Sequence, residues 1–187
     1  MFAPLRELPH AGGAGALVAS RAVYDFRKAG WFRRMMRLSG AVPPISWLYA
    51  RTLHHLDRSV YRLTRGRATF VSLVTGLPIV MLTTTGAKSG RRHTLPLVAL
   101  PDGERMVIIA SNYGQRRNPA WYHNLRAHPR ATISFDGATR EVVARELEGE
   151  ERERQYARGI EIYPGWTQYR ERASNRRIPV IELTPVA

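Results

Sequence analysis

At Leu77 the hydrophobic pattern changes from helical spacing to short alternating or β-branched runs, and this change limits the possible folds more than any other feature. The runs cover 78–85, 94–100, 106–111, 131–135, 140–147 and 178–183, and turn signals separate them at Gly86, Pro101-Asp102-Gly103 and Asp136-Gly137. Six short strands joined mainly by tight turns predict an antiparallel sheet or a small barrel. Helices interrupt the strands. Asn118-Pro119 supplies a capping residue followed by a proline suited to the first helical position, Trp121, Tyr122 and Leu125 follow, and His128-Pro129 stops the helix. A second helix over 150–162 carries its acids early, where the helix dipole favours them, and halts before Pro164. A further turn or short helix carries Trp166 and Tyr169.

Upstream of Leu77 the spacing is helical. After a Gly/Ala-rich stretch over 1–19, Val18, Ala22, Phe26, Ala29, Phe32 and Met36 recur at three- and four-residue steps with arginines between them. Such a basic amphipathic helix fits an anionic lipid surface, and equally a helix packed on the domain with a solvated arginine face. Past Pro43-Pro44 a second stripe, from Ile45 through Leu53 and Val60 to Leu63, ends near Gly66. His54-His55 lies in it, and adjacent histidines point to different sides of a helix, so metal ligation is disfavoured and no metal site is expected. A length of 187 residues suits one domain, placed at 41–187, preceded by a 1–40 extension of tail and basic helix.

Composition narrows the chemistry. There is no cysteine, so thiolate nucleophiles, disulfides and Cys-ligated metals are excluded. The net charge of +14 points to anionic partners, and the first 67 residues hold twelve cations against Glu7, Asp25 and Asp57. The aromatics are not interleaved with arginines as a nucleic-acid stacking platform requires, so nucleic acid is not an expected partner. No apolar run approaches the roughly 20 residues of a membrane span, and no export signal is evident, so the expected location is cytoplasmic with peripheral membrane association through the basic helix.

The segment Thr83-Thr84-Thr85-Gly86-Ala87-Lys88-Ser89-Gly90-Arg91-Arg92-His93-Thr94 joins two of the strands. Its glycines let the backbone turn tightly, while one lysine, two arginines and a histidine converge on a few residues. That combination makes a cradle for phosphate or carboxylate, or a hairpin whose charges are simply solvated. It lacks the spacing of a nucleotide-triphosphate loop, and no helix follows.

This segment, then Ala110-Ser111-Asn112-Tyr113-Gly114, then Asn118-Pro119-Ala120-Trp121-Tyr122-His123-Asn124-Leu125, resembles in order and spacing the deazaflavin (F420)-dependent nitroreductase family. The resemblance extends through Tyr163-Pro164-Gly165-Trp166-Thr167-Gln168-Tyr169 and the closing Arg177-Ile178-Pro179-Val180, covering about 78–185. It implies an α+β, mainly β, fold: a split antiparallel β-barrel of about six strands with flanking helices. The activity implied is hydride transfer from reduced F420, a deazaflavin with a phospholactyl-oligoglutamate tail, to a quinone, nitroaromatic or similar electrophile. A split-barrel reductase that binds flavin mononucleotide, and a non-catalytic lipid-binding protein, are the competing readings.

The resemblance also implies roles. Lys88, Ser89, Arg91, Arg92 and His93 would hold the anionic tail, with histidine standing where arginine is common in the family, so that the charge there depends on pH. Thr94, Pro96 and Leu97 would line the ring, and Ser111, Asn112, Tyr113 and Gly114 would adjoin it. Ser111 and Tyr169 are the candidates for stabilising charge on the acceptor oxygen, since the cofactor itself carries the electrons. Tyr163, Trp166 and Tyr169, at i, i+3 and i+6, would cap the substrate pocket, with Trp166 replacing a familiar tyrosine.

Overall fold

The computed structural model describes residues 75–186 together with Gly30 and Met35. The two N-terminal helical stripes, His54-His55 and the boundary at residue 40 lie outside the described residues.

Among the described residues there are six strands: β1 (Ile79–Thr85), β2 (Arg92–Asp102), β3 (Arg105–Ile109), β4 (Arg130–Phe135), β5 (Ala138–Glu146) and β6 (Val180–Pro185). They close into a barrel in the order β1-β2-β3-β6-β5-β4, and every neighbouring pair is antiparallel. A 3-10 turn (Asn112–Gly114) and helix α1 (Ala120–Ala127) separate β3 from β4; helices α2 (Gly149–Ile162) and α3 (Gly165–Arg172) separate β5 from β6. The expected antiparallel barrel with flanking helices is thus the architecture found. Two connections are only two residues long, Gly103-Glu104 between Asp102 and Arg105 and Asp136-Gly137 between Phe135 and Ala138; in the second both loop residues take positive φ, the geometry that matches strand twist.

Alternation along the strands divides the core in two. Val80, Leu82, Ala99, Ile108, Ile133, Val142 and Leu183 point into the barrel, which α1 plugs with Trp121, Tyr122 and Leu125. The opposite faces of the same strands supply Leu100, Val107 and Val180 to a second cluster, where Tyr156, Tyr163, Trp166 and Tyr169 dock α2 and α3 onto the outside of the barrel. Ionic links fasten α2 further: Arg145 bridges Glu182 of β6 and Glu151 of α2, at 3.0 and 2.9 Å.

Three of the boundaries that depart from the sequence reading bear on the site. β2 begins at Arg92, so Arg92 and His93 pair with Thr85 and Thr84 and belong to a strand, not a loop. β3 ends at Ile109, and Ser111 has helical backbone angles at the start of the 3-10 turn. Pro119, not Asn118, is the capping residue of α1, without a side-chain cap bond; the Asn118 carboxamide accepts instead from Arg176 at 2.6 Å.

Candidate functional site

The connection between β1 and β2, residues 86–91, is closed by its own backbone. The Gly86 N–H donates to the Arg91 carbonyl at 2.8 Å, and the Gly90 N–H to the Gly86 carbonyl at 2.9 Å. Gly86 has no room for a side chain, since a Cβ there would stand 2.5 Å from Ser89 Oγ and 3.0 Å from His93 Nε2. Lys88, Ser89 and Arg91 are therefore lifted to the surface, where all three are exposed.

A buried residue of α1 holds this loop in place. Asn124 Oδ1 accepts from the Ala87 N–H at 3.0 Å, and its Nδ2 donates to Thr84 Oγ1, also at 3.0 Å. A backbone N–H can only donate, so it fixes which end of the carboxamide faces the loop. Asn124 occurs in the sequence motif, yet nothing in the local pattern signals this clamp.

Beyond the loop, the outer face of β2 grades from charged to apolar. Arg92, Thr94, Pro96 and Val98 share this face, because Val98 joins the outer cluster while Leu95 and Leu97 pack with the barrel interior. Arg92 Nη2 donates to Thr132 Oγ1 of β4 at 3.0 Å, and the hydroxyls of Thr83 and Thr94 lie 2.8 Å apart. Leu97 thus stands on the opposite face from Thr94 and Pro96, and the grouping of the three at the ring rests on the resemblance. His93 has the inward parity as well and lies over Gly86, apart from Arg92.

The 3-10 turn and the apolar end of this face pack on the same outer cluster, through Tyr113 and Val98. Ile108 pairs with Ala99, so the chain leaves β3 near Val98 and heads toward the Pro96 end of β2. Asn112, Tyr113 and Gly114 then take φ of 47°, 56° and 78°, three consecutive left-handed residues. Two of them carry side chains, and strain of this kind concentrates at functional sites. Ser111 is buried; its carbonyl accepts from the Gly114 N–H at 2.9 Å and from Arg176 Nη2 at 2.8 Å. Arg176 is a second residue whose part no local pattern in the sequence signals.

Tyr163, Trp166 and Tyr169 are brought together in the outer cluster. All three are buried in the outer cluster, and the hydroxyls of Tyr163 and Tyr169 lie 2.9 Å apart. Burial, reinforced by Tyr163, pushes the Tyr169 phenol far above the usual tyrosine range. A phenol so held keeps its proton, and its hydroxyl is turned toward Tyr163. Pro164 also breaks the stripe: Tyr163 caps the end of α2 and Trp166 is the second residue of α3, so the three do not line one helix. Tyr169 still reaches the 3-10 turn, edge-on to Tyr113 with ring centroids 5.9 Å apart.

The assembled face has exposed cations and a glycine turn at one end, hydroxyls in the middle, and Pro96, Val98 and Tyr113 at the other. This donor set suits a ligand with an apolar ring and a polyanionic tail. Among the described residues no cluster of three or more histidines, aspartates or glutamates could hold a metal ion.

Comparisons with known proteins agree with this chemistry. Residues 54–185 match the family model described as F420H(2)-dependent quinone reductase. An F420H(2)-dependent quinone reductase of Mycobacterium tuberculosis (strain H37Rv) is 35% identical over 137 residues, which are 71% of this chain and 89% of that protein. Among solved structures, an F420-H2 dependent reductase (FDR-A) is 37% identical, with a TM-score of 0.53 over 57% of this chain and 93% of that one. A structure described as a domain-swapped dimer is 32% identical, with a TM-score of 0.55 over 75% of this chain and 98% of that one.

Proposed function

The chain belongs to the F420H(2)-dependent quinone reductase family, and on that premise we propose that it passes hydride from reduced F420 to a quinone or similarly electrophilic acceptor along the outer face of β1 and β2. The observation that carries this reading is the grading of that face. Lys88 and Arg91, exposed on a loop that Asn124 holds rigid, offer fixed positive charge to the phosphate and glutamates of the tail, and Ser89 adds a hydroxyl. Arg92 extends this charge onto the strand, while His93, of inward parity, stands over Gly86 beside the loop. Thr94 and Pro96 face the ring from β2, and Asn112, Tyr113 and Gly114 flank it from the 3-10 turn.

Bound F420H2 supplies the hydride. What the chain contributes is placement, exclusion of water and polarisation of the acceptor. Ser111 enters the turn beside this face, and its hydroxyl is our candidate donor to the acceptor oxygen as negative charge develops there. The buried Tyr163–Tyr169 pair keeps Tyr113, and with it the turn, from moving away from the strand. Association with anionic lipid through residues 1–40 accompanies this reading, because quinones reside in bilayers and nine of the fourteen net positive charges fall within the first 67 residues.

Titration with F420 and with flavin mononucleotide, followed by tryptophan fluorescence, tests the cofactor. We expect tight binding of F420 alone, together with oxidation of F420H2 in the presence of quinones. Equal or reversed affinities would overturn the cofactor reading, and failure to oxidise bound F420H2 with any quinone would overturn the reaction.

A further inference from the structure

Arg176 stands outside every ion pair found among the described residues. Its guanidinium donates instead to neutral oxygens: Nε to the Gln115 carbonyl at 3.0 Å, Nη2 to the Ser111 carbonyl at 2.8 Å, and Nη1 to Asn118 Oδ1 at 2.6 Å and the Ala110 carbonyl at 3.4 Å. These acceptors bracket the three left-handed residues on both sides, Ala110 and Ser111 before the turn, Gln115 and Asn118 after it. Neighbouring bonds add to the grip, with Asn175 Nδ2 donating to the Arg116 carbonyl at 3.3 Å and Asn112 Nδ2 to the Arg117 carbonyl at 2.9 Å. Gly114 seats the turn on α3: a Cβ there would lie 2.8 Å from Arg172 Cβ and 3.0 Å from the Tyr169 carbonyl.

A planar fork that spends its donors on carbonyls from both flanks of one turn fixes the shape of that turn. A lysine cannot, since its ammonium is a single point on a flexible stem. Partial burial lowers the guanidinium's pKa, yet arginine remains charged at any pH at which the protein folds, so a positive charge without an acidic partner sits beneath Ser111 and the turn.

We propose that Arg176 is the positioning residue of the site: it holds the Ser111–Gly114 turn in its strained form and biases it toward an electron-rich ligand, without touching the cofactor or acceptor itself. This rests on the proposed function, because the ligand in question is reduced F420 with its acceptor.

The test compares wild type with Arg176→Lys, which keeps the charge and loses the fork, and with Asn118→Ala, which removes one acceptor and spares the arginine. Hydrogen exchange of the cofactor-free proteins should show faster exchange over 111–117 in both variants, greater for Arg176→Lys, with unchanged protection in β1 and β4. The F420 dissociation constant should rise about tenfold in Arg176→Lys, the loss expected for charge-assisted hydrogen bonds, and kcat at saturating F420H2 should fall as well. Exchange that rises equally throughout the barrel would make Arg176 a general stability element and overturn the inference. Wild-type affinity and kcat in a folded Arg176→Lys would overturn it too. Failure of wild type to bind F420 would instead remove the reading beneath it, and the exchange pattern would still report whether the clamp exists.

Discussion

Lys88 and Asn124 serve one loop by different physics, and their substitutions should separate cleanly. Lys88 is exposed and forms no ion pair or side-chain hydrogen bond among the described residues, so Lys88→Ala should leave stability within about 0.5 kcal/mol of wild type. Its effect should fall on F420 affinity, by up to about tenfold, and less for a cofactor lacking the glutamate tail. Asn124→Ala leaves the Ala87 N–H and the buried Thr84 hydroxyl without their partner, at a cost of about 1–3 kcal/mol. It should lower the denaturation midpoint and weaken tail binding as well. Denaturant melts and F420 titrations of both variants check this; a stable Asn124→Ala with wild-type affinity would show that the loop does not depend on α1. The lysine's part is legible in the sequence because a cation in a glycine turn advertises itself. The asparagine's is not, because the two groups it joins are 40 and 37 positions away.

At the scale of elements, the docking of α2 and α3 on the barrel depends on phenols that remain neutral. Burial pushes Tyr156 up to about 12 from 10.0, and Tyr169 is raised further, while the Tyr156 hydroxyl donates to the Trp166 carbonyl at 2.9 Å. The folded state therefore holds these protons at pH values where the unfolded chain has released them. The stabilisation is complete below about pH 10 and is lost as pH rises toward and beyond 12. Melting temperature should accordingly drop in alkali. Tyr156→Phe should cost about 1 kcal/mol at neutral pH through the lost hydrogen bond, yet show a shallower alkaline decline. An identical pH slope in the variant would exclude Tyr156 as a source of the decline. The spacing of Tyr163, Trp166 and Tyr169 is equally compatible with a pocket wall and with a packing seam, and in the structure all three are buried in the outer cluster. Leu97 shows the same limit in reverse, since alternation along β2 was available from the sequence, but which face would be interior depended on the barrel.

For the whole molecule, charge is distributed unevenly along the chain. Over 79–135 eight lysines and arginines face only Asp102 and Glu104, whereas 136–186 carry nine arginines and ten acids, and the first 67 residues hold the largest excess. If residues 1–40 carry the lipid affinity proposed above, the full chain should sediment with anionic liposomes, deletion of 1–40 should abolish this, and added salt should weaken it. Retention of the truncated form would assign the affinity elsewhere. By itself the sequence determined the strand count, the tight turns, the cation-rich glycine loop and the family resemblance, because turn geometry, side-chain alternation and motif order are all written in near neighbours. Barrel closure, the Asn124 and Arg176 clamps and the burial of the tyrosines were decided only by the tertiary structure. The bonds from Arg176 cross 58 to 66 positions of chain, and a local pattern carries no information about which distant carbonyl a guanidinium will meet.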